Sequence, residues 1–216
     1  MIPWPDAEWR AMQDQARIWR AKLQARTGAG TLFLLDGASC SGKSTLVDRL
    51  TADPAFLELV PRYCTRERRT DDQRRREYIF VGHDDFRARA AAGGFIEYRD
   101  FQFGMSYGLP WAEALTPPLE GRAALSVINL GNVEHVKTLL PEAVTILVDA
   151  SLETIRRRLV SRGVNNQEQI EERLGNAARV QEFRKFYDYV VTNEEGALTE
   201  AESFLRNLIS SRSTHT

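Results

Sequence analysis

The sequence predicts an α/β fold in which a parallel sheet is covered by helices on both faces. The apolar runs TLFLLDG, AALSVIN and AVTILVDA show no in–out alternation, as expected of strands buried on both faces. Between them lie longer stretches with apolar residues every three or four positions, the helical period. Strands and helices that alternate in this way build parallel sheets. Size agrees: 216 residues, 43% hydrophobic and 27% charged, suffice for one domain with a real core and a subdomain or two.

Taken in order, PDAEWRAMQDQARIWRAKLQARTG is an opening helix, with Asp6 as N-cap and Gly28 as stop. Its Trp9, Met12, Ala16, Trp19 and Leu23 share one face, which such stripes normally turn to a core; a dimer contact or a lid is the alternative. TLFLLDG follows as a strand, KSTLVDRLTADP as a helix stopped before Pro54, and FLELV and EYIFV as further strands. DDFRARAAAGG is a helix closed by Gly93 and Gly94. FIEYRDFQF and SYGLP are strands joined at Gly104. AALSVIN, the helix NVEHVKTLLP and AVTILVDA restore the alternation. SLETIRRRLVSRG is a helix between Ser151 as N-cap and Gly163 as stop. NQEQIEERLGNAARVQEF is a polar helix, YVVTN a last strand, and a helix from Leu198 closes the fold. The more polar strands between Arg62 and Leu115 read as an inserted subdomain.

A net charge of −1 and a pI near 6.3 argue against a nucleic-acid-binding domain. Two cysteines, Cys40 and Cys64, imply no disulfide framework, and a reducing cytoplasm is expected. No apolar run suits a membrane span, and MIPWPDAEWR has neither a basic nor an apolar leader region. The basic charge is local. RYCTRERRTDDQRRREYIF, residues 62–80, holds seven arginines. Such a run is a solvated loop, a nucleic-acid patch or a cradle for a small anion. His83, His135 and His215 are scattered without metal-ligand spacing and read as structural or exposed.

GASCSGKST matches G-x-x-x-x-G-K-[ST] between an apolar strand and a helix, the setting that makes this pattern specific. The segment Gly37, Ala38, Ser39, Cys40, Ser41, Gly42, Lys43, Ser44 and Thr45 is therefore expected to bind the phosphates of ATP. Glycines let the backbone curl so that consecutive N–H groups point at phosphate oxygens, and the helix start adds its positive end. Lys43 is expected to act on the β- and γ-phosphates, and the Ser44 hydroxyl to ligate Mg²⁺. The predicted fold is thus a P-loop NTPase.

Beyond this loop the order of motifs resembles the guanylate kinase family. TRERR, EYIFV, GGFIEYRDF followed by SYG, RRLVSRG followed by IEERL, and YDYVVTNEE stand in its order from about Leu32 to Ile209. The resemblance implies a guanylate kinase-like domain over 30–213 behind an N-terminal helix at 1–29. It implies a core of 30–61, 116–160 and 185–213, an acceptor-binding subdomain at 62–115 and a lid at 161–184. It also implies that Arg66, Arg69, Tyr78 and Tyr107 grip the phosphate of an acceptor that already carries one, a task that suits arginine's planar fork. Arg162 and Arg173 would act on the transferring phosphoryl group, Arg158 would tie the lid to the core, and Asn193 would lie near the donor base. The phosphate acceptor needs no obvious general base. Arg74, Arg75 and Arg76 match no family contact and read as a solvated loop or a second anion site.

The base-reading end departs from the family. Glu97 matches its glutamate, but Arg62 and Leu109 stand where hydroxyl residues are expected, Asn129 where an aspartate is expected, and Val127 where a second acid is expected. RYCTR and the asparagine of LSVIN resemble the ribose 1,5-bisphosphate phosphokinase branch, whereas Arg69 and Tyr78 resemble true guanylate kinases. The expectation is an ATP- and Mg²⁺-dependent kinase, monomeric or homodimeric, acting on a nucleoside monophosphate or a phosphosugar with a degenerate guanine reader. The competing class is a non-catalytic module that holds phosphopeptides, against which the intact GASCSGKST argues.

Overall fold

The computed structural model describes residues 4–68, 76–101, 104–163 and 166–213. The chain begins with α1 (Asp6–Gln24), β1 (Leu32–Asp36), α2 (Lys43–Leu50), β2 (Glu58–Leu59), β3 (Arg62–Cys64) and β4 (Tyr78–Phe80). It continues with α3 (His83–Ala91), β5 (Phe95–Asp100), β6 (Ser106–Pro110), α4 (Trp111–Leu119), β7 (Ala124–Val127) and α5 (Val133–Leu139). It closes with β8 (Val144–Asp149), α6 (Leu152–Ser161), α7 (Gln167–Phe183), β9 (Tyr189–Thr192) and α8 (Leu198–Ser213).

Five strands form a parallel sheet in the order β2-β7-β1-β8-β9. Its centre is β1, all five of whose residues are buried, with Leu32 opposite Ala124 of β7 and Phe33 opposite Val144 of β8. Successive β1 side chains enter different cores, because strand side chains alternate between faces. Phe33 and Leu35 join Val47 and Leu50 of α2 and Leu205 and Ile209 of α8. Leu32 and Leu34 join the larger core with Met12 of α1, Leu115 of α4, Val136 of α5 and Leu159 of α6. Two apolar faces on each strand explain why the sequence runs lack alternation.

A second, mixed sheet has the order β4-β3-β6-β5. β3 runs parallel to β4, while β6 is antiparallel to both β3 and β5. Phe86 of α3 stacks on Phe95 of β5 at 4.6 Å, which anchors the helix to this sheet.

Several elements differ from the sequence expectation. Pro5, not Asp6, is the N-cap of α1, and Asp6 lies in the first turn, where its charge meets the positive end of the helix. Of FLELV, only Glu58 and Leu59 pair, both on the edge strand β2. Of FIEYRDFQF, β5 takes Phe95–Asp100, and Gln102 and Phe103 lie outside the described residues. Two elements carry no clear pattern: β3 is three residues of mixed polarity, and α4 contains Pro117 and Pro118. Those prolines fall in the last turns of α4, and the carbonyl of Pro118 accepts from Gly30 at 2.7 Å. The apolar stripe of α1 packs on the body, with Met12 and Ala16 buried against neighbouring elements that include α3, α4 and α5. Gly93, at φ +68°, permits this approach, since a Cβ there would lie 2.3 Å from the backbone of Ala11.

Candidate active site

The parallel strand β1 ends in the loop that leads to α2, and the pattern glycines answer steric demands there. A Cβ on Gly37 would lie 2.3 Å from the Val148 carbonyl oxygen, and one on Gly42 would lie 2.1 Å from the Asn193 amide nitrogen. Gly42 caps α2 from the left-handed region at φ +99°, and Cys40 is a non-glycine residue there at φ +66°. The loop is fastened from behind. Arg158 of α6 donates to the carbonyls of Cys40 at 3.2 Å, Ser41 at 3.3 Å, Asn193 at 2.9 Å and Glu194 at 3.1 Å. The Asn193 side chain donates to Ser41 O at 2.7 Å. A trans peptide points its N–H opposite its C=O, so the Gly42 N–H faces away from these fasteners.

Lys43 donates from Nζ to the carbonyls of Gly37 and, at 3.1 Å, Ala38. Burial lowers the Lys43 ammonium from its usual range, against the pull of Asp36. Asp36 closes β1 and is itself buried; it accepts from Gly37 N at 2.6 Å and from the Tyr187 hydroxyl. Burial pushes its carboxyl up to about 6, opposed by the Lys43 charge and by the bonds from Tyr187 and Gly37. Sequence reasoning missed Asp36 and Tyr187. A charged residue at the end of the otherwise apolar LFLLD was the available signal for the first.

From this loop a cavity of about 310 Å³ runs to the second sheet, lined by Asp36, Gly37, Lys43 and Ser44 and by Arg62, Glu77, Tyr78 and Asn129. The structure thus brings phosphate-loop residues and residues expected to hold the acceptor onto one surface. Arg66 stands beside it, its guanidinium 5.2 Å from the ring centres of both Tyr78 and Phe80 and donating to Glu67 O at 2.8 Å. The Tyr78 and Tyr107 rings meet edge to face at 5.7 Å. Burial raises both phenols, Tyr107 to about 12, so both remain O–H donors at neutral pH. Arg69, Arg74 and Arg75 lie outside the described residues.

Glu97 does not line the cavity. It is fully buried, with Oε1 paired to Arg62 Nη2 at 3.4 Å and Oε2 accepting from Asn129 at 2.8 Å and Asn132 at 2.7 Å. Asn132 is a partner that sequence reasoning missed; the repeated asparagine of INLGN was its signal. Asn129 also donates to Tyr107 O at 3.2 Å.

On the other flank, Arg173 of α7 reaches the Ser39 hydroxyl at 3.4 Å. Arg162 lies exposed at the end of α6, away from the cavity lining. An ion pair between Arg156 and Glu171 at 2.8 Å ties α6 to α7. Asn193 is buried behind the loop, with its Oδ1 lacking a hydrogen-bond partner among the described residues. His135 packs edge-on against Trp4 and Trp9, and His83 opens α3 exposed.

Residues 29–211 match the family model described as Guanylate kinase. The chain belongs to the guanylate kinase family. Curated guanylate kinases agree. That of Hahella chejuensis is 32% identical over 180 residues, covering 82% of this chain and 86% of its own. One from Neisseria meningitidis serogroup A is 32% identical over 181 residues, covering 83% and 87%. A crystal structure of guanylate kinase from Anaplasma phagocytophilum has the same fold, with a TM-score of 0.67 at 24% identity over 87% of this chain and 88% of that one. As a member of this family the protein is an ATP-dependent phosphotransferase. The family match begins at residue 29, so it leaves out α1.

Proposed function

We propose that the protein transfers the γ-phosphoryl group of ATP to a small acceptor that already carries a phosphate, a nucleoside monophosphate or a phosphosugar, and that it reads guanine poorly. The observation that carries this reading is the continuous cavity from Lys43 and Ser44 to Arg62, Tyr78 and Asn129, because in-line transfer needs donor and acceptor on one surface. The loop N–H groups and Lys43 would hold the donor phosphates. Arg173, already at the loop through Ser39, would close over them. Arg162 would reach the same phosphates only if the proposed lid, 161–184, swings toward the loop. Arg66, Tyr78 and Tyr107, with Arg69, would hold the acceptor phosphate.

Mg²⁺ fits this site. Ser44 is exposed and lines the cavity in the first turn of α2, and Mg²⁺ takes hard oxygen ligands supplied by one or two side chains plus phosphates. When bound, the ion would neutralise charge on the β- and γ-phosphates.

The weak reading of guanine is supported by where Glu97 spends its oxygens. A base reader needs a carboxylate free to accept from the base's N–H groups, and Glu97 is occupied by Arg62, Asn129 and Asn132. The neighbouring hydroxyl position is Leu109, which is fully buried and apolar. A coupled ADP-release assay across nucleoside monophosphates and phosphosugars tests the proposal. Acceptor-dependent ADP release is expected; release with no acceptor of either class would contradict it.

A further inference from the structure

We infer that Arg62 reverses the hydrogen-bonding polarity at the inner end of the cavity, so that this end selects acceptors presenting oxygen acceptors or negative charge rather than N–H donors. The inference rests on the acceptor site proposed above and names what that site prefers. Arg62 and Asn129 line the cavity while Glu97 lies behind them, fully buried. The carboxylate's oxygens take three N–H donors from the protein, one from Arg62, one from Asn129 and one from Asn132. Of this carboxylate–guanidinium pair, Arg62 is the member on the cavity lining.

Arg62 is only 7% exposed, and its Nε has no hydrogen-bond partner among the described residues. A buried N–H without an acceptor is unfavourable. A guanidinium carries only N–H donors, so a ligand oxygen arriving beside it finds a partner, whereas an arriving N–H donor finds no acceptor on it. The guanidinium also lies 5.7 Å from the centre of the Tyr107 ring, which holds its plane beside the proposed phosphate grip. Lys43, on the same lining, feels the Arg62 charge, so the cavity carries two cations within electrostatic reach of each other. The carboxylates on the lining are Asp36 and Glu77. Asp36 is held at the phosphate-loop end by Gly37 and Tyr187. Glu77 immediately precedes β4 and is the group that would serve an N–H donor if Arg62 did not decide.

Three nucleotides isolate the effect. Guanosine, inosine and xanthosine 5′-monophosphates share phosphate, ribose and the C6 oxygen. They carry at C2 an amino donor, a hydrogen and an oxygen acceptor respectively. A pentose bisphosphate offers the same oxygen chemistry from a second phosphate with no base. With saturating ATP, kcat/KM should rise from GMP through IMP to XMP by about tenfold or more, as expected when buried polar groups are left unpaired by the wrong ligand. A pentose bisphosphate that exceeds XMP supports the same inference and assigns the oxygen source to a phosphate; one that falls below XMP assigns it to a base. Arg62→Ser should move the XMP-to-GMP ratio about tenfold or more toward GMP, because it removes the guanidinium and frees Glu97 Oε1, and Arg62→Lys should keep the wild-type order. A wild-type preference for GMP over both XMP and the bisphosphate, or a ratio that Arg62→Ser leaves unmoved, overturns the inference. Should Arg62→Ser fail to fold by circular dichroism, the wild-type order decides alone. Absence of ADP release with every acceptor overturns the kinase reading itself, and this inference with it.

Discussion

At one end of the cavity the structure is governed by backbone, and at the other by side chains. The loop Gly37–Ser44 is shaped by glycines that leave no room for a Cβ, and its carbonyls are fastened by Arg158 and Asn193. Beside the second sheet lies instead a network in which the Glu97 carboxylate accepts from Arg62, Asn129 and Asn132. A backbone cradle accepts any phosphate chain of the right length. A side-chain network changes its preference when one member changes, so the same fold can keep its donor and alter its acceptor.

The largest expected effect lies at the loop. Lys43→Ala should lower kcat by about 10³-fold or more, since its charge is asked to stabilise the moving phosphoryl group. Circular dichroism should show an unchanged fold, and turnover within a few-fold of wild type would place the donor phosphates elsewhere. Next comes Arg66→Ala on the other side. It removes a charge-assisted contact worth about 2 kcal/mol, so kcat/KM for the acceptor should fall about 30-fold while the KM for ATP stays within about twofold. A fall in ATP affinity alone would exchange the two ends.

A smaller effect is a matter of pH and concerns the floor between them. The Asp36 carboxyl is raised to about 6 in the folded protein, so between roughly pH 4 and 6 the native state binds more protons than the unfolded chain. This contribution to stability is complete below the unfolded value and is lost as pH rises through 6. Asp36→Asn cannot titrate. Calorimetry should therefore show the mutant's Tm, taken relative to wild type, becoming more favourable from pH 4.5 to pH 7.5. A constant offset would mean that burial does not perturb this carboxyl.

The contrast between backbone and side chains also explains what was legible in the sequence. The five-stranded sheet was legible through LFLLD, ALSV and VTILVD, because burial on both faces leaves a continuous apolar signature. The loop was legible because glycine spacing encodes backbone shape directly. β3 was not, since three residues of mixed polarity carry no period, and α4 was hidden by two prolines near its end. At the end governed by side chains the departures at 62, 109 and 129 were visible, but their consequence was not. Glu97 is 35 residues from both Arg62 and Asn132 in sequence, and only the packing of β3, β5 and the turn before α5 makes them partners. The bond by which the Asn193 amide N–H braces Ser41, a contact across 152 residues, had no local signal either.

The measurement that bears most directly on the proposal of a retained phosphate grip and a weakened guanine reader is kcat/KM for GMP at saturating ATP and Mg²⁺, set beside IMP, XMP and phosphosugars. The account predicts a value for GMP well below the range of efficient enzymes, with another phosphate-bearing acceptor ahead of it. A value of about 10⁶ M⁻¹s⁻¹ or more for GMP, with every other acceptor far behind, would contradict it. It would mean that Glu97 leaves its protein partners for the base when guanine arrives.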